Sequence, residues 1–242
     1  VLPSTDWKRR YYKKPEQQRW YAGETISLGI GQGYNNFTML QLAGATATLV
    51  SGGRRYLPRV VREIEDVATG AKRVISAEAL EPLALEPGHV EVVRQALHGV
   101  TQEGTSTRVF TGAGYASGGK TGTAQAIGIR QNDKYDAGKL DEYQRDHSLY
   151  MAFAPVENPT VALAVIVENA GFGAAAAAPI ARRVLDYLLL GRYPSREDIE
   201  AVRQGGGGPP AGTPRPADEV ALLPVTPGAV ATAAAPLPET LR

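Results

Sequence analysis

The feature that most constrains the fold of this chain is a pair of apolar runs separated by a short polar turn. Residues 148–155 and 160–168 are rich in Ala, Val and Leu or aromatic side chains, and a Glu-Asn-Pro turn lies between them at 157–159. Apolar runs of this length, bounded by turn residues, are typical of buried strands. So short a connection joins antiparallel neighbours. The sequence therefore predicts an antiparallel strand pair.

A third strand is predicted at residues 118–127, which include Lys120, Thr121, Gly122 and Thr123. Alternate side chains of a strand share a face, so the two threonine hydroxyls should lie on one side about 7 Å apart. Gly122 has no side chain, which lets an extended peptide approach the strand and pair with it. Two hydroxyls near an ammonium suit a substrate carboxylate, and the N–H of Thr123 is a candidate oxyanion donor. This pattern predicts an acyl-transfer site on an exposed edge strand.

Helices are predicted on either side of these strands. Thr38 and Gln41 have the spacing of a capping box and open a helix over about 38–50. Helical spacing of apolar residues predicts two more helices, at 90–100 and 179–190. The apolar stripes expected to form core are Leu40, Ala43, Ala47 and Val50 in the first helix and Ile180, Val184, Leu185 and Leu188 in the last. An antiparallel sheet with flanking helices places the chain in the α/β class, as an α+β fold.

Two further turns are predicted from glycine. Gly29, Gly31 and Gly33 do not complete a dinucleotide fingerprint, because Tyr34 occupies the third glycine position of that motif. We expect instead a tight turn beside the substrate groove. A Thr-Gly pair at 69–70 separates two extended segments and predicts a hairpin.

The Lys-Thr-Gly stretch leaves two other enzymatic interpretations open. Gly114 to Thr121 fits G-x-x-x-x-G-K-[ST], which would make it a phosphate-binding loop if a helix began at Lys120. No helical pattern follows it. Ser117 and Lys120 have the spacing of a nucleophile and its base on a helix, but the two glycines between them oppose a helix.

Charge and composition limit the partners. The net charge is +1, so the chain as a whole has no strong attraction to nucleic acid. The basic stretch at residues 8–14 has no second basic cluster to support it, which predicts a solvated loop rather than a nucleic-acid site. The chain has no cysteine and no His-x-x-x-His spacing, so we expect no metal and no cofactor. His98 should be structural, and His147, which follows Asp146, should form a loop hydrogen bond rather than act in catalysis.

The composition changes after Tyr193. Residues 194–242 hold nine of the seventeen prolines and no aromatic residue. Such a segment buries too little apolar surface to offset its ordering entropy. The sequence therefore predicts two regions, a folded domain at 1–193 and a disordered Pro/Gly/Ala-rich tail at 194–242.

Several ordered blocks resemble one known family over residues 20–191. They are Gly-Ile-Gly-Gln-Gly-Tyr at 29–34, Lys-Thr-Gly-Thr-Ala-Gln at 120–125, Asp-His at 146–147, Ala-Phe-Ala-Pro at 152–155 and Val-Glu-Asn-Ala-Gly at 167–171. Together they resemble the C-terminal half of the transpeptidase domain of class B penicillin-binding proteins, and most closely the elongation type, penicillin-binding protein 2. Serine β-lactamases share the fold but only the Lys-Thr-Gly block.

The resemblance implies a serine-type D,D-transpeptidase that cross-links peptidoglycan stem peptides and is acylated by β-lactams. It implies that Lys120 supports the catalytic network, that Thr121, Gly122 and Thr123 bind substrate, and that the Thr123 amide is an oxyanion donor. The family's Ser-x-x-Lys nucleophile motif has no counterpart here, so the chain is expected to be a fragment, inactive alone, or a half-domain that only packs against the rest. A polytopic glycosyltransferase and the elongation scaffold are the implied partners, and a membrane anchor outside this chain would hold the protein at the periplasmic face of the bacterial inner membrane.

Overall fold

The centre of the structure is a three-stranded antiparallel sheet. A computed structural model describes residues 2–127 and 135–219. Strands β5 (Gly118–Ala124), β6 (His147–Ala154) and β7 (Val161–Val167) form this sheet in the order β5-β6-β7. In its register, Lys120 lies opposite Met151 and Thr123 opposite Ser148. The predicted antiparallel strands are confirmed, with the Lys-Thr-Gly strand at one edge.

The other elements surround this sheet. The helices are α1 (Thr5–Tyr11), α2 (Pro15–Gln18), α3 (Ala22–Gly29), α4 (Met39–Val50), α5 (Pro87–Gln102), α6 (Thr107–Phe110), α7 (Ala177–Leu190) and α8 (Arg196–Arg203). The short strands are β1 (Arg55–Tyr56), β2 (Glu63–Glu65), β3 (Lys72–Val74), β4 (Ala79–Leu80), β8 (Arg192–Tyr193) and β9 (Arg215–Pro216). β2 and β3 form the predicted hairpin, and β1 pairs with β4.

One face of the sheet, which we call the closed face, is covered by α6 and α7. Tyr150 and Ala152 of β6 pack there against Ala181 and Leu185 of α7, all at most 1% exposed. Burial raises the pKa of Tyr150 to about 12, so its phenol stays neutral and forms a 2.8 Å hydrogen bond with the Ser106 hydroxyl. The closed face is therefore a continuous core with its polar group satisfied.

The buried stripe of α7 differs from the predicted one. Ile180, Val184 and Leu188 are 39%, 39% and 52% exposed, and only Leu185 of the predicted four is buried. The buried side consists of Ala177, Ala178, Pro179, Ala181, Arg182, Leu185 and Asp186. Alanines let the helix lie close to the sheet, and an ion pair on the same side replaces the larger aliphatic residues.

The opposite face, which we call the open face, is covered only in part. Val50 of α4 and Leu97 of α5 pack there on Phe153 and Val156. The capping box predicted at Thr38 is present. The predicted apolar stripe of α4 is wrong except for Val50, because the buried side of the helix consists of Thr46 and Val50, while Leu40 is 63% exposed, Ala47 is exposed and Ala43 is half-buried.

The C-terminal prediction differs from the structure for residues 194–219. Helix α8 docks on α7, where the Arg183 guanidinium donates to both oxygens of Asp198 at 2.5 and 2.7 Å. Burial disfavours the charge of Asp198, but hydrogen bonds from Arg183 and the Ala211 N–H outweigh it and lower the pKa of this carboxyl. Ion pairing thus orders a segment whose composition indicated disorder. The rest of the predicted tail lies outside the described residues.

The N-terminal prediction also needs correction. The basic stretch 8–14 was expected to be a solvated loop, but Lys8 lies in α1 and is 2% exposed. Its ammonium bonds to the Glu24 carboxylate and the Arg19 carbonyl. The aromatic residues around it exclude water, and this could not be read from charge alone.

Candidate functional site

Two glycines set how closely β5 lies against its neighbours. A Cβ at Gly118 would lie 2.4 Å from the Phe153 ring, and one at Gly119 would lie 2.4 Å from the Tyr150 hydroxyl. Larger residues at either position would force the strand away from β6. The glycines that precede Lys120 therefore serve strand packing.

Lys120 lies inside β5, with an exposed side chain on the rim of the open face. Its ammonium donates 2.9 Å to the carbonyl of Thr121. All of residues 120–124 line a groove of about 640 Å³. Its other walls are the turn at residues 28–37, the first turn of α4 and the open face of β6 and β7. The groove thus combines an apolar floor with a cation at its edge.

Thr121 and Thr123 point to the opposite side of β5 from Lys120, as strand alternation requires. The Thr121 hydroxyl lies 3.1 Å from the hydroxyl of Thr105, in the loop between α5 and α6. The carbonyl of Thr123 accepts a 2.6 Å hydrogen bond from the Gln32 side chain. That carbonyl therefore points away from β6, and the N–H of the same residue points the same way.

The structure thus brings together the four residues singled out in the sequence, Lys120, Thr121, Gly122 and Thr123, on an edge strand beside a groove. Among the described residues, none pairs with the outward-facing Thr123 N–H, so an extended chain can approach this edge there. The Lys120 ammonium lies on the groove side of this strand, and the two threonine hydroxyls lie on the other side.

Gln32 lines the groove and contacts the Lys-Thr-Gly strand, and the sequence did not single it out. It lies in the glycine-rich turn predicted to border the groove, where Gly31 and Gly33 adopt left-handed φ angles of 78° and 70°. Glycine adopts these angles without strain. The turn prediction is confirmed, but no local pattern in the sequence indicated that the Gln32 side chain would reach the strand.

A second contact missed from the sequence supports the other side of β5. A Cβ at Gly173 would lie 2.2 Å from the Leu149 carbonyl oxygen and 2.7 Å from that of Gly122. The loop after β7 therefore lies directly on the sheet behind the Lys-Thr-Gly segment. The Ser148 hydroxyl fastens it by donating to the Phe172 carbonyl and accepting from the Ala177 N–H, both at 3.0 Å.

The histidines have the structural roles predicted for them. The Asn169 N–H donates to Nδ1 of His147 at 3.0 Å, and this orders the same loop. Nδ1 of His98 lies 2.8 Å from the Ser117 carbonyl.

The two alternative interpretations of the motif are wrong. Lys120 and Thr121 lie within strand β5, so no helix N-terminus meets a phosphate there. Ser117 is 2% exposed and precedes the same strand, so it does not share a helical face with Lys120. Within residues 2–127 and 135–219, no cluster of acidic or histidine side chains has the geometry of a metal site.

Comparison with known proteins agrees with this geometry. The model of the penicillin binding protein transpeptidase domain matches residues 11–186. The chain is 37% identical over 205 residues to the peptidoglycan D,D-transpeptidase MrdA of Haemophilus influenzae, covering 81% of this chain and 30% of that protein. The chain therefore spans about a third of the length of such relatives.

Solved structures have the same fold. Pseudomonas aeruginosa PBP2 in complex with WCK 5153 matches with a TM-score of 0.61 and 32% identity, over 78% of this chain and 38% of that one. Penicillin-binding protein A of Mycobacterium tuberculosis, as an imipenem acyl-enzyme complex, matches with a TM-score of 0.52 and 27% identity, over 67% and 33%.

In the part of the chain that is described, no helix is both long and apolar enough to cross a membrane. The edge strand, the groove and the family match lead to one assignment. The chain belongs to the penicillin-binding protein transpeptidase family, as part of the transpeptidase domain of a class B protein of the PBP2 (MrdA) type.

Proposed function

We propose that the protein containing this chain is a serine-type peptidoglycan D,D-transpeptidase, and that this chain supplies the substrate-binding wall of its active site. The observation that carries the proposal is the free edge of β5, from which the Thr123 N–H points outward beside Lys120 and the groove. A stem peptide ending in a carboxylate adds to this edge in the extended conformation.

Each residue of the wall has a role in this reaction. The hydroxyls of Thr121 and Thr123 bind the terminal carboxylate, and the N–H of Thr123 donates to the oxyanion that forms at the attacked carbonyl. The Lys120 ammonium supports the charged network around them. Gly122, without a Cβ, lets the peptide approach the strand.

The nucleophilic serine and its base belong to a part of the protein outside this chain. That serine attacks the penultimate D-Ala carbonyl, the terminal D-Ala leaves, and an acceptor amine resolves the acyl-enzyme. A β-lactam acylates the same serine, in line with the imipenem acyl-enzyme of the mycobacterial relative. We further propose a location at the periplasmic face of the inner membrane, through an anchor outside this chain, with a polytopic glycosyltransferase and the elongation scaffold as partners.

The decisive experiment measures acylation of the full-length protein by a fluorescent penicillin. Thr123→Val removes the hydroxyl and keeps the backbone, so the second-order acylation rate should fall about ten- to a hundredfold, as expected for one hydrogen bond to a charged group. Val suits a strand, so folding should be retained. Stopped-flow fluorescence gives the rate.

Thr48→Val is the matched control. The Thr48 hydroxyl bonds within α4, to the Gly44 carbonyl at 2.8 Å, so the control should leave acylation unchanged. Equal rates for Thr123→Val and the unmodified protein would contradict the substrate role.

The 242-residue chain alone should not be labelled, because Ser117 is buried. Labelling of Ser117 in a tryptic peptide would contradict the division of the active site, and no labelling of the full-length protein would favour a domain that only packs.

A further inference from the structure

We propose that Gln32 is a positioning residue that closes the free edge of β5 just beyond Thr123 and holds the backbone of Thr123 in the extended conformation that directs its N–H outward for oxyanion donation. The inference rests on the proposed function and adds to it a residue that lies 91 positions away in the sequence.

The carboxamide of Gln32 contacts both outward-facing backbone groups at this point of the strand. Nε2 donates 2.6 Å to the Thr123 carbonyl, and Oε1 accepts a longer, 3.5 Å bond from the Gln125 N–H. A carboxamide carries a donor and an acceptor side by side, as a peptide group does. Gln32 therefore replaces one peptide of a neighbouring strand.

The turn that carries Gln32 is itself tightly held. The Gln32 N–H donates to the Ser27 carbonyl at 2.9 Å, and the Asn35 side chain donates to the Gln32 carbonyl at 3.1 Å. These two bonds restrain the peptide groups on both sides of the Gln32 Cα. The side chain thus starts from a nearly fixed point.

A partly buried cluster around the Lys8 ammonium supports the end of the turn. The Tyr34 hydroxyl donates 2.9 Å to the Glu24 carboxylate, and the Lys8 ammonium bonds to the same carboxylate. Lys8 also lies 5.2 and 5.3 Å from the ring centres of Tyr21 and Tyr34. A continuous set of contacts therefore runs from α1 through the turn to the Lys-Thr-Gly strand.

Two consequences follow for an added peptide. The groups at Thr123 and Gln125 are already occupied, so strand pairing with a ligand ends at Thr123. The Thr123 carbonyl is fixed, so the N–H of the same residue keeps its direction away from β6. Without the Gln32 bond, the end of an edge strand is free to fray, and the donor loses its alignment.

The test uses the full-length protein with Gln32→Met, which keeps length and removes both hydrogen bonds, and with Gln32→Glu, which keeps only the acceptor. Both variants should lower the first-order rate constant of acylation, measured at saturating fluorescent penicillin, about tenfold. The dissociation constant of the noncovalent complex that precedes acylation should change less than threefold. Backbone amides of residues 118–125 should exchange with deuterium about tenfold faster without ligand.

Gln41→Met is the matched control, because it removes a side chain whose amide oxygen accepts from the Thr38 N–H at 3.0 Å at the start of α4, without touching β5. It should leave both readouts unchanged. If deuterium exchange in β5 is equal in the Gln32 variants and the unmodified protein, the proposal that Gln32 holds the end of this strand is overturned. Faster exchange with unchanged acylation overturns its catalytic consequence. If the unmodified protein is not acylated at all, the proposed function fails, and the exchange measurement still decides whether Gln32 holds the strand.

Discussion

The two faces of the central sheet serve different purposes. On the closed face, α6 and α7 bury the side chains of β6 almost completely, and the polar groups among them are paired. On the open face, α4 covers only one end, and a groove of about 640 Å³ remains beside Lys120. Tight packing is concentrated on the closed face. The accessible polar groups lie on the strand edge that borders the open face.

This difference separates stability from chemistry. A residue on the closed face should affect folding first and acylation only through folding. A residue on the rim of the groove should do the reverse, because its removal leaves no cavity and no unpaired buried group. Three substitutions test the separation, in decreasing order of their effect on the free energy of unfolding.

The largest effect is expected for Asp186→Ala on the closed side. Asp186 accepts from Nε of Arg182 at 2.8 and 3.0 Å and from the Tyr115 hydroxyl at 2.9 Å. Burial and the nearby Asp186 carboxylate raise the pKa of the Tyr115 phenol, so it remains a neutral donor. Losing Asp186 leaves a buried guanidinium without its counterion, which should cost about 3–5 kcal/mol of unfolding free energy in urea denaturation.

The control for this prediction is Glu200→Ala. Glu200 pairs with Arg203 at 3.9 Å on the surface, so its loss should change the unfolding free energy by less than about 0.5 kcal/mol. Similar costs for the two alanine variants would mean that the closed face is less well sealed than its packing indicates.

An intermediate effect is expected for Gly173→Ala, which adds a methyl group where the loop meets the sheet. The new Cβ would overlap backbone oxygens of Leu149 and Gly122, and neither can move without disturbing the β5–β6 pairing. Overpacking of this kind should cost about 1–3 kcal/mol. Thermal denaturation measures this cost.

Gly173 also tests the boundary between the two roles, because its loop lies directly against the strand that is proposed to bind substrate. We expect slower acylation of the folded Gly173→Ala protein as well. Gly208→Ala, at a position where a Cβ meets nothing within 4 Å, is the control and should alter neither property. Normal acylation in the Gly173 variant would show that β5 does not need this support.

The smallest effect on stability is expected for Lys120→Met. The Lys120 side chain is exposed, and within residues 2–127 and 135–219 its hydrogen bond is to the adjacent Thr121 carbonyl, so the unfolding free energy should change by less than about 0.5 kcal/mol. The acylation rate should nevertheless fall at least about tenfold, because the charge beside the carboxylate site is lost. A large loss of stability with little loss of rate would reverse the comparison between the faces.

Much of the central architecture was predictable because its signals are local. Apolar runs of strand length predicted β6 and β7, and the Thr38 capping box predicted the start of α4. The Lys-Thr-Gly strand was predictable as an edge because polar and glycine residues replace the aliphatic ones of its neighbours. The candidate site residues followed from that strand alone.

The errors share one cause, which is that they depend on contacts between residues far apart in the sequence. Periodicity showed that α7 is amphipathic but could not show that Arg182 and Asp186 would be buried as a pair. Composition could not show that Asp198 would find Arg183 and order residues after 194.

The sequence by itself predicted the three strands of the central sheet, the capping box at Thr38 and the four residues proposed as the substrate wall, because each depends on neighbours within a few positions, and its ordered motif blocks indicated the family. Only the tertiary structure decided that Gln32 reaches Thr123, that Gly173 lies against Gly122, and which sheet face stays open. Those outcomes require separate segments to meet at hydrogen-bonding distance. The geometry of such a meeting is set by packing, which no local pattern encodes.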